Sequence, residues 1–142
     1  MRKALASTAG VLALALLLSA SDGQQKVRYS SPSELALSAD GRWLFVVCEG
    51  TDEVVVVDTV VNQIAGRIPV GRVPRGIALS SDGRRAWVAN SWDDTVTEID
   101  IAARTAGRTL PTGFEPTGLV ADRAGETLYI ANRLSSDLSV VN

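Results

Sequence analysis

Residues 74–90, PRGIALSSDGRRAWVAN, and residues 116–132, PTGLVADRAGETLYIAN, are two copies of one pattern placed 42 positions apart. Residues 32–48, PSELALSADGRWLFVVC, are a third copy on the same period. No insertion is needed to align the three copies from their leading prolines onward. A period of about 20–50 residues is the sequence signature of propellers, solenoids and other repeat arrays. The repeat is therefore the feature from which the fold is inferred.

Each unit predicts four short strands, because runs rich in β-branched and aromatic residues alternate with turn residues. The Asp-Gly pairs at 40–41 and 82–83 predict hairpin turns, in which glycine adopts positive φ. The predicted strands are 34–38, 43–48, 54–58 and 63–69, then 76–80, 85–90, 96–100 and 105–111, then 118–121, 127–132 and 138–142. Four strands in a unit of this length indicate an all-β fold of four-stranded antiparallel β-propeller blades.

The repeat also predicts the domain organisation. Blade 1 is assigned to residues 32–73, blade 2 to 74–115 and a partial blade 3 to 116–142, so the ring is incomplete at about two and a half blades, whereas closed rings have about four to eight. Residues 21–31 stand where a fourth strand precedes the other units, and we expect a ring-closing strand there. The favoured explanation is a fragment of a longer protein; the alternative is that several copies assemble.

The first twenty residues read as a secretory signal peptide. Arg2 and Lys3 supply the positive start, residues 11–18 are an apolar run, and Ser19, Ala20 and Ser21 offer a cleavage site. The alternative is a retained membrane anchor, but eight apolar residues fall well short of the ~20 that span a bilayer. We expect cleavage after Ala20, a periplasmic or extracellular product and no membrane span after cleavage.

Composition excludes several kinds of chemistry. The chain of 142 residues has no histidine and one cysteine, so a Ser-His-Asp triad, a His-ligated haem and an intrachain disulfide are excluded. With 14 basic and 16 acidic residues, nothing suggests nucleic-acid binding. We expect Cys48 to be a buried, unreactive thiol. We expect neither cofactor nor metal, and the favoured interpretation is that this chain has no catalytic activity of its own.

The pattern P-x-G-[IL]-x-x-x-x-x-G-x-x-x-[YW]-[VI]-A-N in residues 74–90 and 116–132 resembles the YVTN-type β-propeller repeat family. The resemblance covers residues 31–142 and is specific for the repeat class. Unit one departs from the pattern, since Cys48 replaces the closing asparagine and Glu34 replaces the first glycine.

Members of this family are often exported, and the resemblance implies the same here. They occur as free-standing propellers, as cell-surface proteins or joined to dihaem cytochrome c peroxidase-like domains. Residues 130–135, IANRLS, look most like the propellers that accompany such domains. By this analogy the chain would be the N-terminal part of such a protein.

Loops that follow the second and fourth strands of each unit are expected to share one face. Loops carry binding residues more often than the framework does, so this face is the candidate for a ligand or partner. Exposed loop charge is nevertheless usually solvated, and Trp92 could instead fold over the blade edge. The candidate residues are Glu49, Asp52, Arg72, Arg75, Trp92, Asp93, Asp94, Glu115 and Arg133.

Three functions are open at this point. The leading hypothesis is an exported propeller repeat module that binds or scaffolds an unknown protein or small molecule. The alternative is the propeller portion of an exported haem oxidoreductase, similar to cytochrome c peroxidase, whose catalytic domain lies outside this chain. A propeller hydrolase such as a lactonase would need polar groups converging on a central channel, which less than half a ring hardly supplies.

Overall fold

The computed structural model describes residues 30–142, which form three antiparallel sheets. The predicted signal peptide and residues 21–29 lie outside the described residues. In the described part of the chain, no helix is long and apolar enough to cross a membrane. The strands are β1 (Pro32–Leu37), β2 (Trp43–Cys48), β3 (Glu53–Asp58), β4 (Gln63–Pro69), β5 (Pro74–Leu79), β6 (Arg85–Asn90), β7 (Thr95–Asp100), β8 (Thr105–Pro111), β9 (Pro116–Ala121), β10 (Leu128–Asn132) and β11 (Asp137–Val141).

The strand positions follow the predicted period: β2, β4, β6 and β8 have the predicted bounds, and the other strands differ by one or two residues. β1, β5 and β9 begin two residues earlier than predicted, at Pro32, Pro74 and Pro116. Each of these strands is at the edge of its sheet, where the missing N–H of a proline costs no ladder hydrogen bond.

The sheets are propeller-like blades arranged in a partial ring, which confirms the predicted fold class. Their strand orders are β1-β2-β3-β4, β5-β6-β7-β8 and β9-β10-β11, and we call these sheets blades 1, 2 and 3. The first strands β1, β5 and β9 contact one another in sequence, while the outer strands β4 and β8 barely meet. The blades therefore fan outwards from an inner edge that the first strands form.

An apolar cluster joins blade 1 to blade 2. Phe45, Val54 and Ile68 of blade 1 pack against Ala86 and Val88 of blade 2, all of them buried. A strand presents alternate side chains to opposite faces, so these residues use one face of each sheet.

A second cluster joins blade 2 to blade 3 through the opposite face of blade 2. Trp87 and Val96 pack against Leu119, Leu128 and Ile130. Trp87 lies 42 positions after Phe45, and Leu128 lies 42 positions after Ala86 in the first cluster. The two blade interfaces therefore reuse the same positions of the repeat, and β6 is buried on both faces.

The faces that have no neighbouring blade among residues 30–142 are apolar and exposed. Phe45, Trp87 and Tyr129 share one repeat position, and this shared aromatic position leads us to expect that all three pack between blades. Phe45 and Trp87 are buried, but Tyr129 is 40% exposed, so the expectation is wrong for Tyr129. The physical reason is that its face of blade 3 meets no further sheet in the described chain.

Candidate binding face

The loops after the second strands and those between blades lie at the same end of the sheets, as expected. Val70, which follows β4, donates its N–H to the Asp52 carbonyl at 3.0 Å, and Thr112 donates equivalently to Asp94. The Trp92 N–H donates to the Arg72 carbonyl at 3.2 Å. We call this end the loop face, and it carries all nine candidate residues.

Two aspartates tie adjacent loops of this face together. Asp52 Oδ1 accepts the Val73 N–H at 2.9 Å, and Asp94 Oδ1 accepts the Glu115 N–H at 2.8 Å. Val73 and Glu115 have φ of 52° and 56°, a left-handed conformation that is uncommon outside glycine and costly for a β-branched residue. The carboxylates are therefore framework groups that hold a strained blade-to-blade connection.

A chain of ion pairs crosses the loop face between blades. Arg75 donates to Glu49 at 3.4 Å and to Glu115 at 3.5 Å, and Glu115 also accepts from Arg133. Glu115 is 15% exposed and Arg133 is 65% exposed, so the chain runs from a shielded carboxylate to an open guanidinium. The arrangement joins candidates from all three blades.

Arg72, Trp92 and Asp93 form a second group. Asp93 accepts from both the Arg72 backbone N–H and its Nε, each at 2.6 Å, and the Arg72 guanidinium also donates to the Trp92 carbonyl. Partial burial acts to raise the pKa of Asp93, but the hydrogen bonds and charge of Arg72 outweigh it and lower the pKa. Asp93 is therefore held ionised against Arg72.

Apolar side chains stand out from the same face. Trp92 is 65% exposed, so it does not fold over the blade edge, and Phe114 and Leu134 are 61% and 72% exposed. The Leu134 N–H donates to the Phe114 carbonyl, which places these two loops together. Leu134 was not among the predicted candidates, although it lies 42 residues after Trp92 and the repeat could have indicated it.

The asparagines that end β6 and β10 support the loops from beneath. Asn90 accepts the Gly71 N–H at 3.0 Å and donates to Thr97 at 2.8 Å. A Cβ at Gly71 would lie 2.5 Å from the Asn90 side chain, which explains why glycine occupies that position. Asparagines at such strand ends are expected to hydrogen-bond loop backbone, as asparagine does at turns. Asn90 does so, whereas Asn132 donates to the side chains of Asp137 and Ser139.

The opposite end of the sheets has a cavity that the sequence did not indicate. It measures about 490 Å³ and lies between the hairpin turns of blades 1 and 2, with Trp43 and Arg104 in its wall. The Arg104 guanidinium lies 4.4 Å from the Trp43 ring centre. At the corresponding place between blades 2 and 3, Arg85 stands at the position of Trp43 and donates to the Gly125 carbonyl at 2.7 Å.

The described residues show little metal or thiol chemistry. Within residues 30–142, no group of three or more His, Cys, Asp or Glu side chains is placed to hold a metal ion. Cys48 is a buried free cysteine, and burial, reinforced by Glu53, raises the pKa of its thiol. A thiol with a raised pKa is a poor nucleophile at neutral pH.

The fold and the repeat define the chain as a β-propeller repeat protein. A family model described as "Lactonase, 7-bladed beta-propeller" matches residues 7–112, about three quarters of the chain. The chain therefore belongs to the seven-bladed β-propeller lactonase family. No curated protein matches the chain.

Solved structures of other propellers are similar to the chain. Hydrazine synthase of Kuenenia stuttgartiensis has a TM-score of 0.77 and 24% identity, covering 84% of this chain and 35% of that one. A putative 6-phosphogluconolactonase of Bacteroides fragilis has a TM-score of 0.67 and 19% identity, and the match covers 78% of this chain and 34% of that one. The Swd1 β-propeller domain of Myceliophteria thermophila has a TM-score of 0.65 and 15% identity, and the match covers 75% of this chain and 33% of that one.

The chain spans about a third of the length of these solved structures. At such low identities the likeness concerns the fold alone.

Proposed function

We propose that the chain is an exported β-propeller module that binds a protein partner through its loop face. The observation that carries the proposal is the exposure of Trp92, Phe114 and Leu134 on the face that also holds the ion-pair chain. Exposed apolar side chains with a polar surround are typical of interaction sites. The hydrogen bonds from Val73 to Asp52 and from Glu115 to Asp94 join neighbouring loops of this face, and such pre-organisation lowers the entropic cost of binding.

A displayed library of random peptides, panned against the immobilised chain, tests the proposal. We expect enriched peptides whose binding falls at least about tenfold in Trp92→Ser and in Phe114→Ser, because aromatic anchors dominate interface energies. Val60→Ser is the matched control, since Val60 is 75% exposed but follows β3 at the opposite end. Enriched peptides that bind all three variants equally, or no enrichment, would contradict the proposal.

Family membership favours lactone hydrolysis as a second candidate function. Hydrolysis of 6-phosphogluconolactone by the purified chain, followed by proton release, tests it directly. A rate above the spontaneous one that falls in Arg75→Ala would support this candidate, because Arg75 lies at the start of the inner strand β5 and its guanidinium can stabilise developing negative charge. A spontaneous rate throughout would exclude it for this chain.

The narrower hypothesis of a YVTN-type propeller attached to a cytochrome c peroxidase-like oxidoreductase makes a prediction about the gene. A reading frame that continues past codon 142 and encodes CxxCH haem-attachment motifs would support it. A stop codon followed by unrelated sequence would contradict it.

A further inference from the structure

The cavity at the end of the sheets opposite the loop face lies between two neighbouring blades, and we call it the turn cavity. Its volume is about 490 Å³. Residues 38–40 and Trp43 of blade 1 line it on one side, and residues 81–84, Ile101 and Arg104 of blade 2 line it on the other. Both walls belong to the described chain, so the turn cavity is a feature of an internal junction and not an uncovered outer face.

The corresponding junction between blades 2 and 3 is closed by two hydrogen bonds. The Ser81 hydroxyl of blade 2 donates to the Arg123 carbonyl of blade 3. The Arg85 guanidinium of blade 2 donates to the Gly125 carbonyl of blade 3 at 2.7 Å. Two side chains of one blade thus hold the hairpin turn of the next blade against it.

Blade 1 lacks both closing side chains at the junction with blade 2. Ala39 stands 42 positions before Ser81, and Trp43 stands 42 positions before Arg85. Alanine has no donor group, and an indole cannot reproduce the hydrogen bond of a long guanidinium. The turn cavity therefore exists because of two sequence differences between otherwise equivalent repeat units.

Two arginines line the turn cavity without a carboxylate partner. The Arg104 guanidinium lies 4.4 Å from the centre of the Trp43 ring, which is a cation–π contact. Within residues 30–142, neither Arg84 nor Arg104 forms an ion pair. Guanidinium groups are always charged and carry five N–H donors, so both side chains have donors to offer an anion.

The carboxylates of the turn cavity have structural roles instead. Asp40 and Asp82 each accept the hydroxyl of the serine two residues before and the backbone N–H two residues after. The same contacts in both turns indicate that these aspartates build the turns. Arg84 is not repeated in this way, because Glu126 takes its position in blade 3. The arginines therefore distinguish the turn cavity from the rest of the repeat.

We propose that the turn cavity binds a small organic anion. Arg84 and Arg104 hold its carboxylate or phosphate group, since guanidinium groups donate paired hydrogen bonds to either. The apolar body of the ligand packs against Trp43 and Ile101. The volume falls within the range of about 300–1,000 Å³ that is typical of small-molecule sites, where apolar walls surround a few polar groups. This site lies away from the loop face and is independent of the protein partner proposed above.

Titration with phenyl phosphate and with benzoate, followed by two-dimensional nitrogen–proton NMR spectra of the whole chain, tests the proposal. The backbone amides of Gly83 and Ala102 report on the cavity wall. We expect saturable shifts with at least one of the two anions, and the tighter of them identifies the anionic group that the site prefers. Benzyl alcohol, which has the ring without the charge, should bind much more weakly. Absence of saturable shifts with both anions, or equal binding of benzyl alcohol, would overturn the proposal.

Single arginine variants test whether the two guanidiniums bind the anion. Arg84→Gln and Arg104→Gln should each raise the dissociation constant about tenfold, because each removes a charged hydrogen-bond partner. Arg123→Gln is the matched control, since it removes an exposed arginine from the corresponding turn of blade 3 and should leave binding unchanged. Equal weakening by all three variants would reduce the effect to nonspecific charge attraction and contradict the proposal.

A variant that combines Ala39→Ser with Trp43→Arg gives blade 1 the two closing side chains of blade 2. It adds a positive charge, so nonspecific attraction predicts tighter binding of the anion. A cavity site predicts the opposite, because the hairpin turns close against each other and binding is lost. The dispersion of the NMR spectrum checks that each variant keeps its fold. Undiminished binding by a folded double variant would overturn the assignment of the site to the turn cavity.

Discussion

At the scale of the residue, one glycine position shows what blade stacking demands. A Cβ on Gly76 in β5 would overlap the carbonyl oxygen of Thr117 and lie 2.9 Å from the Leu119 side chain in the next blade. Gly118 holds the same repeat position in blade 3, where a Cβ would meet no atom within 4 Å. Glycine is therefore needed at Gly76, where blade 3 closes against it, whereas Glu34 occupies the same repeat position in blade 1 and is exposed.

Gly76→Ala should therefore destabilise the chain and Gly118→Ala should not. We expect Gly76→Ala to lower the free energy of unfolding by about 1–3 kcal/mol. The new Cβ would meet the backbone carbonyl of Thr117, and backbone moves only at an energetic cost. The matched change at Gly118 should stay within about 0.5 kcal/mol. Urea unfolding of both variants and the wild type measures this, and equal losses would contradict the close approach.

At the scale of the element, the turn between first and second strands is built around an aspartate in each blade. Ser38 donates to Asp40 at 2.5 Å and Ser80 donates to Asp82 at 2.6 Å. Hydrogen bonds from the serine and then from the following backbone lower the pKa of Asp40 and of Asp82. In blade 3 Asp122 takes the serine position, and the Glu126 N–H is the main cause of its lowered pKa.

These turns predict a loss of stability in acid. A carboxyl group whose pKa is lower in the folded state than in the unfolded chain stabilises the fold above the unfolded pKa, near 3.8. That contribution disappears as pH falls through the folded pKa. We expect the urea midpoint to decrease from about pH 5 towards about pH 3.

Asp82→Asn is the control for that pH dependence. It removes one titrating group, so its midpoint should lie below that of the wild type at neutral pH, and the two curves should converge in acid. A constant difference between the curves across the range would show that Asp82 contributes nothing through its charge.

The shared position of Trp87 and Tyr129 gives an element-scale comparison of covered and uncovered blade faces. Trp87→Ala empties a fully buried site between blades 2 and 3 and should cost about 3–5 kcal/mol. Tyr129→Ala should cost about 1 kcal/mol at most, since Tyr129 is 40% exposed. The measurement is thermal or urea unfolding at protein concentrations where the chain is monomeric, and a large loss at Tyr129 would contradict the exposed face.

At the scale of the whole molecule, each blade contacts only its neighbours, so stability depends on how many faces are covered. Blade 2 has both faces covered, and Ala86, Trp87, Val88 and Ala89 of β6 are all at most 1% exposed. Blades 1 and 3 each have one covered face among the described residues. The middle blade should therefore open least often.

Hydrogen exchange followed by mass spectrometry tests this ranking. We expect amides of β6 to exchange more slowly than those of β2 and β10, the corresponding strands of the outer blades, because local opening follows the contacts that must break. Substitution of an exposed leucine in an outer blade, Leu138→Glu or Leu35→Glu, should preserve the order. Uniform exchange across the three strands would indicate one cooperative unit without a protected centre.

The predicted strands and the observed ones agree because the information is local and repeated. The runs of β-branched and aromatic residues, the turn glycines at positive φ and the prolines that begin the first strands recur every 42 residues. The loop face was predictable for the same reason, since strand order alone assigns loops to ends. The role of Asp52 and Asp94 as tethers was not predictable, because their partners lie 21 residues away, in the connection that leads to the next blade.

By itself, the sequence determined the repeat, the four-strand unit, the β-propeller class and the end of the sheets where polar loops collect. Those features depend on short-range patterning that each 42-residue unit carries in full. Only the tertiary structure decided which apolar faces are covered, that Tyr129 and Leu138 stand exposed, and that a cavity opens beside Trp43. Burial depends on whether another blade covers a face, and the sequence of one repeat unit does not specify that.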